Sequence, residues 1–196
     1  MHHRTKNNLA LTASLISLES AGIDDTETRK ALEELEERVR AIALLHQMLQ
    51  DAEGARSVPA EEYLRNVAES AARTAGRSIS LDCGVDPVEL TASKAIPLGL
   101  ILNELVTNSV KHAFPGGREG KILVRLADAG GVLEMVVQDD GVGMPEKPGK
   151  QSLGLSLVES LAEQLGGSLR FEEGPGTKIV VDRKSTRLNS SHESPS

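Results

Sequence analysis

The sequence contains no tryptophan, one tyrosine, two phenylalanines and one cysteine in 196 residues. Without aromatic bulk the core has to be built from Leu, Ile, Val and Ala, which suits helix bundles and open α/β layers. A single cysteine, Cys83, excludes an intramolecular disulfide and fits a reducing compartment; in a strand it reads as a small core residue. No run approaches the ~20 apolar residues that a membrane span requires. The N-terminus also lacks the charged-then-apolar pattern of a signal peptide. The expectation is a cytoplasmic location with no membrane segment in this fragment. Basic residues are outnumbered 22 to 29 by acidic ones, for a net charge of -7. That balance argues against a nucleic-acid partner, which needs a basic surface.

Apolar residues recur at helical spacing from the start. Leu9, Ala13 and Ile16, with Leu11, Leu15 and Leu18, form a wide stripe between His3 and Ser20. Ala21-Gly22 supplies a stop, and Asp24 or Asp25 an N-cap for the next helix. Leu32, Leu35, Val39, Ile42 and Leu49 then give a heptad-like seam, with Glu34–Arg38 and Glu36–Arg40 as i,i+4 pairs on the outer face. Residues 1–52 therefore read as an antiparallel helical hairpin. Its stripes are too wide for an isolated pair, so a partner hairpin is expected.

Residues 53–181 read as a second unit. Asp51 to Pro59 is a linker, Ala60 to Ala75 an amphipathic helix, and Ser78 to Cys83 a strand. A helix from about Ser93 to Ala113 tolerates Pro97 because it lies near the first turn. Lys121 to Leu126 and Val132 to Gln138 are strands about an Ala129-Gly130-Gly131 turn. Ser152 to Leu165 is a helix closed by Gly166-Gly167, and Ser168 to Glu172 with Lys178 to Val181 is a final hairpin. The fold class is α+β: a helical hairpin followed by an α/β sandwich with a mixed, mainly antiparallel sheet.

Residues 182–196 break this pattern. From Asp182 to His192 the chain reads D-R-K-S-T-R-L-N-S-S-H. That stretch resembles, residue for residue, one reading frame of a widely used short-read sequencing adapter. It is excluded from the fold as a disordered read-through tail, which puts the end of the natural gene fragment near Val181.

Three segments carry chemistry. On a helix, Glu104, Asn108, Lys111 and His112 share a face. A carboxylate and an amide one turn apart suit Mg²⁺, and a Lys and a His beyond them suit phosphate oxygens. The bland reading is a solvated polar face. Asp139-Asp140-Gly141-Val142-Gly143 follows an apolar strand. Gly141 and Gly143 let the backbone approach a ligand, and Asp139 offers an acceptor suited to the exocyclic amine of adenine; the alternative is an ordinary strand-ending turn. Ser152-Leu153-Gly154-Leu155 opens a helix whose N-terminal amides favour an anion, after a stretch, Glu146 to Gln151, suited to a lid. Thr177, in the Gly174-Pro175-Gly176-Thr177 turn, is placed beside that phosphate-side helix.

In this order the segments resemble the N-box and two glycine boxes of the ATPase fold shared by histidine kinases, gyrases, Hsp90 chaperones and MutL. Upstream, His3-Arg4-Thr5-Lys6-Asn7-Asn8-Leu9 resembles the H-R-x-K-N-N-L phosphoacceptor box of the HWE-related class of histidine kinases. Leu44-Leu45-His46-Gln47 is similar to that class's second hairpin helix. Asn103 before Glu104 points to close relatives of strict HWE members, which carry His there. The resemblance implies ATP and Mg²⁺ as cofactors, with the hairpin serving phosphoacceptance and dimerisation. His3 would be the nucleophile. Glu104 and Lys111 would join it in catalysis, and Asn108 with Glu104 would hold the metal. Lys111, His112, Asp139, Gly141, Gly143, Ser152, Gly154, Leu155 and Thr177 would complete the nucleotide site. It further implies a response-regulator receiver domain as partner and a homodimer formed through the hairpin. Arg4 stands where conventional members carry an acidic residue, so the general base is left unassigned.

His3 needs its neutral imidazole, which an ordinary histidine pKa of about 6.5 provides. It is preferred to His2 because it abuts Arg4; His46 reads as a packing or surface histidine. With only two residues before it, His3 falls in a fraying first turn, so this fragment is expected to bind ATP but label itself slowly. Two other functions fit part of the pattern: an ATP-hydrolysing relative of the fold, and a non-catalytic module that docks a regulator.

Overall fold

Helix α1 spans His3–Ala21 and helix α2 spans Thr26–Asp51 in a computed structural model that describes residues 3–51, 57–73, 79–130, 132–143, 153–172 and 176–183. The amides of Gly22 and Ile23 close the turn by donating to the Glu19 and Ser20 carbonyls, each at 3.2 Å. Asp25 caps α2: its Oδ2 accepts from the Thr28 hydroxyl at 2.6 Å and the Thr28 amide at 2.8 Å. Those two bonds, the hydroxyl's first, hold the Asp25 carboxyl below its ordinary pKa. Leu11, Leu15 and Leu18 remain exposed at i, i+4 and i+7 on α1, with Leu35 on α2. The hairpin thus keeps the uncovered apolar stripe that its sequence announces.

At its other end α2 joins the following unit, for Leu45 is fully buried in the same core as α3 and α4. The expected linker is only partly one. Ser57–Pro59 forms strand β1, antiparallel to β3 (Glu89–Thr91), a two-stranded sheet that the sequence reading missed. Helix α3 (Ala60–Ala72) buries Tyr63, Leu64, Val67 and Ala71 on one face.

Helix α4 is Ala92–Asn108, followed by a π-helical turn at Ser109–Ala113. Pro97 lies near its start, in the second turn, and the last turn of the helical run is wider than an α-helix, which corrects the single α-helix expected to Ala113. Gly99 lies where α4 meets two neighbours. A Cβ there would stand 2.4 Å from the Tyr63 hydroxyl oxygen and 2.9 Å from a Leu45 methyl. The Tyr63 hydroxyl donates to the Ala95 carbonyl at 2.9 Å, and burial pushes its pKa well up.

The main sheet has the order β2-β4-β5-β7-β6, with β2 (Ile79–Val85), β4 (Gly120–Asp128), β5 (Leu133–Asp139), β6 (Gly167–Glu172) and β7 (Lys178–Arg183). Only β2 and β4 are parallel; the other pairs are antiparallel, so the sheet is mixed and mainly antiparallel as expected. Ile122, Val124 and Leu126 of β4, with Met135 and Val137 of β5, are buried at period two. They join residues of α3, α4 and α5 (Leu153–Gln164) in one apolar core. The expected tail, residues 182–196, is corrected at its first two positions. Asp182 pairs with Glu134 and Ser168, and Arg183 with Gly167, so both complete β7. They look outside a strand in sequence because they carry no apolar side chain. Residues 184–196 lie outside the described residues.

Candidate nucleotide-binding site

Asp139 occupies the last position of β5, in the alternation Met135, Val137, Asp139 that faces the core. A carboxylate there must be satisfied by hydrogen bonds. It is 2% exposed. Its Oδ2 accepts from the Ser109 hydroxyl at 2.9 Å, and its Oδ1 from the backbone amides of Gly141 at 3.0 Å and Thr177 at 3.1 Å. Its own amide donates to the Thr177 carbonyl at 2.9 Å. Thr177 was expected beside the phosphate-side helix; its backbone instead brackets Asp139 twice.

The glycines sit where side chains would collide. A Cβ on Gly141 would stand 2.4 Å from both the Cβ and the carbonyl oxygen of Ala113, at the end of the π-helical turn. Next to it the Val142 amide donates to that same carbonyl at 3.0 Å. Gly176 has φ +77, and a Cβ there would lie 2.0 Å from the Asp139 carbonyl oxygen. The strand-ending loop is therefore pressed against the C-terminal end of α4's helical run.

Glu104 and Asn108 lie one turn apart on α4, facing Gly154 in the first turn of α5. A Cβ on Gly154 would stand 2.8 Å from Glu104 Oε2, 3.3 Å from Arg38 Nη2 and 3.8 Å from Asn108 Nδ2. These groups form a cradle that only glycine leaves open. Because Ser109 follows Asn108 directly, the hydroxyl that meets Asp139 places the amide and the carboxylate in adjoining parts of one site. The oxygen donors of Asn108 and Glu104 fit Mg²⁺, which keeps waters and phosphate oxygens in its remaining positions. Among the described residues no group of three or more His, Cys, Asp or Glu side chains is set to hold a metal by itself, so nucleotide phosphates would have to complete the shell.

Two of the expected residues face elsewhere. Arg38 of α2, expected on an outer face with Glu34, is part-buried: its Nε donates to Glu104 Oε1 at 3.0 Å, whereas its contact with Glu34 is 3.9 Å. Lys111 Nζ pairs with Glu37 Oε2, also on α2, at 2.6 Å. His112 is exposed, and the π-helical turn moves it and Lys111 off the simple α-helical face that the spacing suggested. Gly143 has φ +76 and closes the described part of the loop. Leu155 packs against the core. His3 opens α1, but its side chain lies outside the described residues, as do Ser152 and Glu146 to Gln151. Ser109, Arg38 and Glu37 are the residues sequence reasoning missed. Only Ser109 left a trace, as a small polar residue between Asn108 and Val110 one turn after Leu105 and Val106.

Comparison with known proteins meets this geometry. A family model for histidine kinases matches residues 1–75, and one described as histidine kinase-, DNA gyrase B- and HSP90-like ATPase matches residues 93–186. The sensor histidine kinase PdtaS of Mycobacterium tuberculosis is 33% identical over 194 residues, covering 92% of this chain and 38% of that protein. Blue-light-activated histidine kinase 2 of Erythrobacter litoralis is 31% identical, covering 93% of this chain and 54% of its own length. The chain thus spans about half or less of these relatives. The solved histidine kinase domain of a blue-light-activated kinase from Erythrobacter litoralis superposes with a TM-score of 0.68 at 30% identity, covering 93% of this chain and 88% of that one. With a helical hairpin leading into an α/β unit in which Gly154 lies against Glu104 and Asn108 while Ser109 bonds Asp139, the chain belongs to the histidine kinase family.

Proposed function

We propose that this chain is the catalytic part of an ATP-dependent protein histidine kinase of two-component signalling. The reading is carried by one observation: a buried carboxylate, Asp139, held by three donors, one of them the hydroxyl of Ser109, which follows Asn108 in the chain. Its remaining lone pair suits the exocyclic amine of adenine. Asn108, with Glu104, would hold Mg²⁺, which supplies charge neutralisation on the phosphates. Gly141 and Gly154 let the loop and α5 close against α4, which with Gly143 would shape the nucleotide site, and the amides at the start of α5, with Ser152, suit the phosphates.

In the chemical step an imidazole nitrogen of His3 attacks the γ-phosphorus. A P–N bond forms, the bond to the β-bridging oxygen breaks, and ADP leaves with the electron pair. The imidazole then sheds its N–H proton. Transfer onward breaks P–N and forms P–O on a receiver-domain aspartate of a response regulator. The exposed Leu11, Leu15 and Leu18 stripe favours a second hairpin as cover, hence a homodimer. Cys83, half-buried on β2 with no disulfide, suits a reducing cytoplasm. Among the described residues no helix is long and apolar enough to cross a membrane.

Arg38 occupies only Oε1 of Glu104, which leaves Oε2 for the metal, and Lys111 keeps further N–H donors beyond its contact with Glu37. The His3→Ala variant tests the whole reading. It should bind ATP yet lose all acid-labile, base-stable label from [γ-³²P]ATP. Undiminished label would refute the assignment, and steady phosphate release unaffected by the substitution would instead favour an ATP hydrolase.

A further inference from the structure

A carboxylate offers about four lone-pair positions. Asp139 has filled three of them with donors of its own chain: two backbone amides on Oδ1 and the Ser109 hydroxyl on Oδ2. The two oxygens are not held alike. Oδ1 is fixed by the loop backbone of Gly141 and Thr177, whereas among the described residues Oδ2 accepts from a single side chain. The terminal torsion of Asp is broad and roughly two-fold, so bonds to Oδ1 alone leave the carboxylate plane free to rock.

Ser109 is built to remove that freedom. It is buried, and its amide is shared between the Leu105 and Val106 carbonyls at the junction where the α-helix widens into the π-helical turn. Single π-turns within α-helices cluster at functional sites. This one does two things: it carries the Ser109 hydroxyl to Asp139, and it leaves the Ala113 carbonyl to accept from Val142 of the glycine loop. Helix and loop are thus tied on both sides of the carboxylate.

We propose that Ser109 is a positioning residue for base selection. By fixing Oδ2 it presents the one open lone pair of Asp139 in a set direction, so a 6-aminopurine nucleotide can donate to it. A 6-oxopurine nucleotide brings an acceptor to an acceptor and is rejected. This deepens the reading of Asp139 as the purine-recognising residue and rests on it.

The experiment is isothermal titration of the full chain with ADP and with inosine diphosphate, for wild type, Ser109→Ala, Ser109→Thr and Asp139→Asn. The ratio of the two affinities within one preparation is independent of the folded fraction, so partial misfolding of a variant does not obscure it. The Ser109→Ala change should cut the preference for ADP roughly 10-fold by weakening ADP alone, the size expected for a hydrogen bond to a charged group. Ser109→Thr, which keeps the hydroxyl, should restore most of it. Equal weakening of both nucleotides by Ser109→Ala, or no change in either, would overturn the proposal. If Asp139→Asn abolishes the preference while Ser109→Ala keeps it, only the role of Ser109 falls. If Asp139→Asn keeps the full preference, the reading of the site falls with it.

Discussion

Replacing Arg38 by methionine would leave the Glu104 carboxylate without its cation in a place water barely reaches. The two side chains are 12% and 9% exposed, and Nε lies 3.0 Å from Oε1. At that distance the attraction is about 5–6 kcal/mol for an effective dielectric constant near 20. Desolvation of both ions offsets much of it, so the intact pair adds little net stability. Removing one partner is different, because the desolvation of the other is left uncompensated, at a cost of about 3–5 kcal/mol. We take about 3 kcal/mol, since neither side chain is fully sealed, which lowers Tm by roughly 6–12 °C for a chain of this size. Urea unfolding followed by far-UV circular dichroism and by tyrosine fluorescence measures it; the one tyrosine, Tyr63, is buried in the core. A cycle with Glu104→Gln should return a coupling of about 2 kcal/mol or more, whereas Glu34→Gln, at an exposed carboxylate 3.9 Å from Arg38, should cost under about 0.5 kcal/mol. An Arg38→Met variant within about 0.5 kcal/mol of wild type, at unchanged m, would refute the reasoning.

Two further outcomes follow from the same structure. Asp82 on β2 has its carboxyl lowered to about 2, first by its hydrogen bond to Arg125 and then by Lys121. A carboxylate depressed on folding stabilises above its unfolded pKa, and that contribution drains away as pH falls from near 4 through about 2. Carbon-detected NMR of Asp82 should show its midpoint near about 2, and a midpoint at the ordinary 3.8 would remove the pair's influence. Gly141→Ala would drive a methyl to 2.4 Å from the Ala113 carbonyl oxygen, a backbone atom. It should destabilise by about 1–3 kcal/mol and weaken nucleotide binding, and a variant with wild-type Tm and affinity would show that the loop is not pressed there.

What could be read from the sequence was whatever repeats locally. The stripe Leu11, Leu15, Leu18 and the apolar strand before Asp139 each need only a few neighbours to be seen, although the strand runs one residue further than expected and takes Asp139 into its buried register. Contacts between distant segments could not be read. Arg38 looked like half of an i,i+4 pair with Glu34 because the spacing is right, yet its stronger partner is 66 residues away. Strands β1 and β3 escaped notice because each has three residues, too few for periodicity to register. The π-helical turn is likewise silent in Ser109–Ala113, whose residues suit an α-helix equally well; the widening depends on the glycine loop that binds the Ala113 carbonyl.

Helix α2 lies along α4 in the opposite sense: Leu45 meets Gly99, Arg38 meets Glu104, and Glu37 reaches Lys111. An axial slip of α2 by one turn, about 5.4 Å, would unseat the leucine and part both charge pairs together. The seated leucine and the two charge pairs therefore fix one register between the hairpin and the helical run that carries Glu104 and Lys111.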